Sequence, residues 1–212
     1  MLKFYVRTTG ERVLDNSFSQ IDYDLSIDYE HNPTKAFISL LKQVQNDNVI
    51  LLEDDIILCK NFKQHIESVI FSHSNELINF FSYPSLFIFS SKLHCSIFCY
   101  NQCTYFPSAI TKQIIKYIDE HNEVYNEPSP EKVCKKVLKE LNIDWYMYRP
   151  CLVQHLDNGS LLGHIRKFSR RSPYFIDYLD ELGITYEEAR SNENQDKLIN
   201  LMNEKFKEIN KN

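Results

Sequence analysis

Apolar and polar positions along this chain switch between two periods. Residues 2–7 (LKFYVR) form a short apolar run that ends at Thr8-Thr9-Gly10, a turn signal, which predicts a first core strand and a loop. Residues 11–20 predict a short helix, and the alternation over 24–28 predicts a second strand. Asn32-Pro33-Thr34 then opens a helix, because proline is tolerated in a first turn and Ala36, Phe37, Leu40, Leu41 and Val44 recur at helical spacing. Asn46-Asp47-Asn48 breaks that helix. Val49-Ile50-Leu51-Leu52 follows as a continuous apolar run, the mark of a strand buried on both faces. It stops at Glu53-Asp54-Asp55, and apolar residues resume at Ile56-Ile57-Leu58.

The rest of the chain continues the alternation. Residues 61–72 predict an amphipathic helix, 77–81, 86–89 and 96–100 strands, and 108–121 a helix. A polar loop over 123–130 leads to a helix capped by Ser129-Pro130-Glu131 and running to about residue 141, then a strand over 144–148 and a segment over 150–155. From about residue 165 the character changes: a basic run, Arg166-Lys167-Phe168-Ser169-Arg170-Arg171, precedes helices over 173–182 and 185–210. Strands alternating with helices predict an α/β fold with a mostly parallel central sheet flanked by helices. The predicted division is a domain over 1–165 and a basic, helical C-terminal extension over 166–212.

Composition narrows this picture. Of the 212 residues 43% are hydrophobic, including 13 Tyr and 14 Phe, which is ample for a core and excludes general disorder. A net charge of -5 argues against coating nucleic acid by bulk electrostatics, while leaving room for the local basic run. The start has no apolar signal region, and no apolar stretch approaches the ~20 residues that cross a bilayer, so a cytoplasmic protein is expected. Cysteines 59, 95, 99, 103, 134 and 151 read as buried small hydrophobes. A zinc site from His94, Cys95, Cys99 and Cys103 is the weaker reading, because spacing by four on a strand entering a loop does not converge on one point.

Two stretches carry chemistry. Three consecutive carboxylates at the end of a buried strand are costly unless something positive offsets them, and loops at carboxyl ends of strands are where α/β proteins bind ligands. Glu53, Asp54 and Asp55 therefore point to a divalent cation shared with phosphates, against the plainer reading of a solvated acidic turn. About a hundred residues later His155 precedes a turn rich in Gly, Asn and Asp, and its imidazole suits Mn²⁺ more than Mg²⁺.

LLEDD at a strand end resembles the acidic DxD signature of GT-A-fold glycosyltransferases, and PCLVQHLDNGSLLG resembles the P-S-L-V-Q-H-x-G-x-x-S segment of some of them. The pattern over residues 1–165 is similar to the family containing lipopolysaccharide and procollagen galactosyltransferases, and to small phage-type glycosyltransferases. The resemblance implies a GT-A-like (Rossmann-like) fold. It also implies a hexosyltransferase taking a nucleotide-sugar, a UDP-sugar first among them, with Mn²⁺ or Mg²⁺. By position, Glu53 and Asp54 would hold the nucleotide sugar, Asp55 and His155 the metal, and Arg7 and Asp28 the nucleotide. Arg166, Lys167, Arg170 and Arg171 are candidates to close over phosphates or to meet acceptor phosphates; the plainer reading is a solvated basic helix start. Asp157 stands where the family has glycine, and is a candidate base since 95–118 holds no Asp or Glu. The acceptor is a glycan, a protein or a hydroxymethylated DNA base, a homo-oligomer is allowed, and inversion and retention both stay open. Two other classes compete: a metal-dependent phosphodiesterase or other hydrolase, and a catalytically inactive nucleotide-sugar-binding module.

Overall fold

The predicted first strand is β1 (Leu2–Thr8), and it lies between β2 (Asp24–Ile27) and β3 (Asn48–Glu53), parallel to both. The computed structural model describes residues 2–82, 91–99, 101–156 and 170–209. Among these, a seven-stranded sheet has the order β2-β1-β3-β7-β5-β8-β6, completed by β5 (Leu77–Asn79), β6 (Ser91–Leu93), β7 (Cys103–Phe106) and β8 (Trp145–Met147). Five strands run one way; β7 and β6 run against their neighbours. The architecture is therefore α/β with a mostly parallel sheet, as the alternation predicts.

The pleat sorts residues into two cores. Phe4, Val6, Ile50, Leu52, Ile78 and Tyr105 face one, and Tyr5, Val49, Leu51, Leu77, Phe106 and Trp145 face the other. Val49 to Leu52 are all 0% exposed, so that unbroken apolar run does mark burial on both faces. Three helices cover the second core: α1 (Pro33–Val44), α3 (Ser108–Glu120) and α4 (Pro130–Glu140). Burying one Phe of this kind, such as Phe37, contributes about 1.5–3 kcal/mol. Local chemistry sets where α1 and α4 begin. Asn32 Oδ1 accepts from Lys35 N at 3.0 Å, Ser129 Oγ accepts from Lys132 N at 3.3 Å, and a proline fills each first turn.

The first core is covered by α2 (Phe62–His73) and by the C-terminal helices α5 (Ile176–Leu182) and α6 (Asn192–Ile209). From the C-terminal stretch beyond 165, Tyr174, Tyr178, Leu179, Ala189 and Leu198 sit in the same buried cluster as Phe4 and Phe62. Gly183, at φ 64°, ends α5 with a left-handed turn. The helix expected over 185–210 is divided: a 3-10 turn at Glu188–Arg190 and an extended Ser191 precede α6. Among the described residues no helix is long and apolar enough to cross a membrane.

One strand expectation fails. The strand predicted over 96–100 is instead a 3-10 turn at Cys95–Ile97, because the His94 imidazole accepts from Ser96 N at 3.2 Å and caps it. The strand in this region is β7, whose four residues are buried between β3 and β5. The strand expected over 86–89 lies outside the described residues. A separate two-stranded ladder joins β4 (Ile56–Leu58) to β9 (Val153–His155), pairing Ile56 with His155.

Candidate active site

Parallel pairing puts Arg7 of β1 beside Glu53 of β3, at the carboxyl ends of both strands. Arg7 Nη2 donates to Glu53 Oε1 at 2.9 Å and to the Asn101 carbonyl at 3.2 Å, and its guanidinium stands 5.3 Å over the Phe37 ring. Asp54 turns the other way. Its Oδ2 accepts from Thr8 Oγ1 at 2.6 Å and its Oδ1 from Arg12 Nη1 at 2.9 Å. The same Arg12 nitrogen lies 2.9 Å from Asp55 Oδ2. The β4–β9 ladder then brings His155 to Asp55: His155 Nε2 is 3.4 Å from Asp55 Oδ2, and Leu156 N donates to the Asp55 carbonyl at 2.8 Å.

The acidic run is thus offset first by the chain's own arginines. Burial pushes the Glu53 carboxyl upward and neighbouring Asp55 adds to this, while Arg7, His155 and Arg170 pull it down. For Arg12, desolvation works against the charge, but Asp55 and Asp54 together outweigh it and keep the guanidinium charged.

A cavity of about 440 Å³ opens over this cluster, lined by Arg7, Arg12, Asp28, Glu53, Asp54, Asp55 and Arg170, with the starts of α1 and α4 on its far wall. Asp28 Oδ1 accepts from Asn32 N at 3.0 Å, fixing the entry to α1. His155 is 0% exposed and stands behind Asp55. Among the described residues, the buried side-chain atoms Arg7 Nε, Thr9 Oγ1, Asn101 Nδ2 and Gln102 Oε1 around this cavity have no hydrogen-bond partner. Buried polar atoms are nearly always satisfied, so a cluster of exceptions at a cavity wall marks a place for a ligand.

The structure therefore brings together Arg7, Asp28, Glu53, Asp54, Asp55, His155 and Arg170. Arg171 lies elsewhere, 3.5 Å from the Phe206 ring centroid, tying the segment to α6. Asp157, Arg166 and Lys167 lie outside the described residues. Sequence reasoning missed Arg12, Thr8, Asn101 and Gln102. The available signal was positional: each follows, ends or precedes a strand at the sheet edge where ligands bind. Thr8→Val is expected to cost about 1–2 kcal/mol in a urea titration, since Thr8 Oγ1 both serves Asp54 and accepts from Gly10 N at 2.9 Å. An unchanged midpoint would show that this bridge does not hold the turn.

The cysteines do not form a metal site of their own with spacing by four. Cys95 belongs to one core and Cys103 to the other, on opposite faces of the sheet. All six are free, and burial pushes the Cys134 thiol up to about 12. Ligand atoms of His94, Cys95 and Asp144 do lie within 4.8 Å of one another. Capping accounts for that grouping: His94 Nδ1 is bonded to Ser96, and Asp144 Oδ1 accepts from Cys95 N at 3.1 Å. No protein-family model matches the chain, and a search of curated proteins found no match.

Proposed function

We propose that this chain is a metal-dependent glycosyltransferase that moves a sugar from a nucleotide-sugar donor, a UDP-sugar first among candidates, to an acceptor hydroxyl. The observation that carries the reading is the cavity at the carboxyl ends of β1 and β3. Carboxylates and guanidiniums converge there, with the His155 imidazole behind Asp55 and unsatisfied buried polar atoms on Arg7, Thr9, Asn101 and Gln102 around them. A nucleoside diphosphate offers both what guanidiniums bind and what unsatisfied amides and hydroxyls bind.

The donor set suits a divalent cation. Asp55 Oδ2 and His155 Nε2 are 3.4 Å apart, and neighbouring ligands of an octahedral ion held at about 2.1 Å stand about 3 Å apart. An oxygen–nitrogen pair favours Mn²⁺ or a similar ion over Mg²⁺. In this reading Asp55 and His155 hold the cation. The chemistry it supplies is neutralisation of the charge that grows on the departing diphosphate. Arg7 and Arg170, which both line the cavity, meet phosphate oxygens, Glu53 holds Arg7 in place, and Asp28 meets the nucleoside. In the transfer itself the bond from the anomeric carbon to the diphosphate breaks, a bond to the acceptor oxygen forms, and the acceptor proton leaves to a base.

The test is thermal denaturation with UDP, GDP, CMP and their sugars, each with and without Mn²⁺. At a hundredfold excess over the dissociation constant a ligand adds about 2.7 kcal/mol, roughly 5–10 °C for a chain of this size. A metal-dependent rise with one nucleotide is expected. No rise with any of them would sink the proposal.

A further inference from the structure

Among the described residues, Asp55 Oδ2 faces both Arg12 and His155. Arg12 Nη1 is 2.9 Å from it and His155 Nε2 is 3.4 Å from it, and the same Arg12 nitrogen also lies 2.9 Å from Asp54 Oδ1. A divalent cation bound at about 2.1 Å to that oxygen would sit no more than about 5 Å from the guanidinium nitrogen. Both are positive, and the pair is shielded from water: the side chains of Arg12, Asp54 and Asp55 are only 15%, 8% and 6% exposed. The repulsion is poorly screened at such a site. The bridge and the bound cation therefore oppose each other at this oxygen.

We propose that Arg12 is a diphosphate-binding residue held in reserve: it occupies the Asp54–Asp55 pair until a divalent cation takes its place, and then turns to the diphosphate. This rests on the nucleotide-sugar reading above and adds to it a residue and a coupling. Arg12 lines the same cavity as Arg7 and Arg170, so a change of rotamer carries its guanidinium from the carboxylates to an anion in that space. It comes from the loop that follows β1, where Gly10 adopts φ +82°, a left-handed conformation that glycine takes without strain. Displacing the bridge costs free energy when metal binds alone. A diphosphate offsets that cost by giving the guanidinium a bidentate partner. Metal and nucleotide must then strengthen each other's binding, reciprocally.

The coupling can be read directly as Mn²⁺ affinity, by the electron paramagnetic resonance of free Mn²⁺, on the full chain with and without saturating UDP. For the wild type, UDP is expected to tighten Mn²⁺ binding about tenfold. Arg12→Gln is expected to bind Mn²⁺ alone about tenfold more tightly than the wild type, with UDP adding less than about threefold. Arg12→Lys, which keeps the charge but not the planar fork, should fall between them. It carries the test if the glutamine variant fails to fold, as judged by circular dichroism. If Arg12→Gln or Arg12→Lys binds Mn²⁺ no better than the wild type while UDP still tightens Mn²⁺ binding to the wild type, the inference is overturned and the glycosyltransferase reading stands. If no protein binds Mn²⁺ with or without UDP, both fall.

Discussion

Asp55→Asn is expected to remove metal-dependent nucleotide binding while leaving the chain folded. The substitution keeps the size and one acceptor oxygen but deletes the charge that faces both Arg12 and His155. Arg12 retains Asp54, which also keeps Thr8, so the turn after β3 has its other bonds. The melting temperature without ligand should therefore move by only a few degrees. The effect on the site is far larger. Nucleoside diphosphate release from the stabilising donor should fall about 10²–10³-fold, equivalent to about 3–4 kcal/mol of lost transition-state stabilisation. The Mn²⁺-dependent rise in melting temperature should vanish with it. His155→Gln is expected to act in the same direction, weakening Mn²⁺ binding by at least about tenfold, since it removes a ligand and not only a partner of one. Donor turnover within fivefold of wild type in Asp55→Asn would remove Asp55 from the chemistry.

Gln154→Leu should cost about 4 kcal/mol of stability. Gln154 is fully buried, and its carboxamide is matched to one backbone unit: Nε2 donates to the Ser172 carbonyl at 2.8 Å, and Oε1 accepts from Ser172 N at 2.8 Å. Oε1 also accepts from His155 N at 3.2 Å. Leucine has similar volume but leaves the Ser172 amide and carbonyl buried without those bonds, at about 1–3 kcal/mol each. Gln154→Glu is expected to be no better, because its second oxygen would oppose the Ser172 carbonyl. Urea denaturation measures both variants. A loss below about 1 kcal/mol in the leucine variant would mean that this amide does not anchor the segment carrying Arg170 and Tyr174.

How much of this was legible depended on whether the information was local. The start of α1 was readable because Asn32 and Pro33 act within one turn, and β3 because four apolar residues in succession leave no polar face. β7 was not readable. Residues 96–99 are as apolar as Cys103–Phe106, and the choice between them is made by pairing with β3 and β5, which are distant in sequence. The site divides in the same way. Glu53-Asp54-Asp55 and His155 stand out by residue type at a strand end and beside a turn. The sequence gives no means of telling that Arg12, in a loop, bridges two of the three carboxylates, or that Asn101 and Gln102 present unsatisfied atoms. The expectation that something positive must offset the acidic run was sound physics. The residues that do so first were arginines already in the chain.

The ladder between β4 and β9 also sets an order of assembly. Asp55 is joined to His155 across about a hundred residues, and the Leu156 amide closes on the Asp55 carbonyl. As the chain leaves the ribosome, β1, β2, α1 and β3 can begin to pair, and Arg12 can already neutralise Asp54 and Asp55. The imidazole arrives only when β9 has emerged and docked, a non-local contact and therefore a late one. The carboxylates can therefore meet arginine before they meet the imidazole, and the Asp55–His155 pair forms only once β9 has docked on β4.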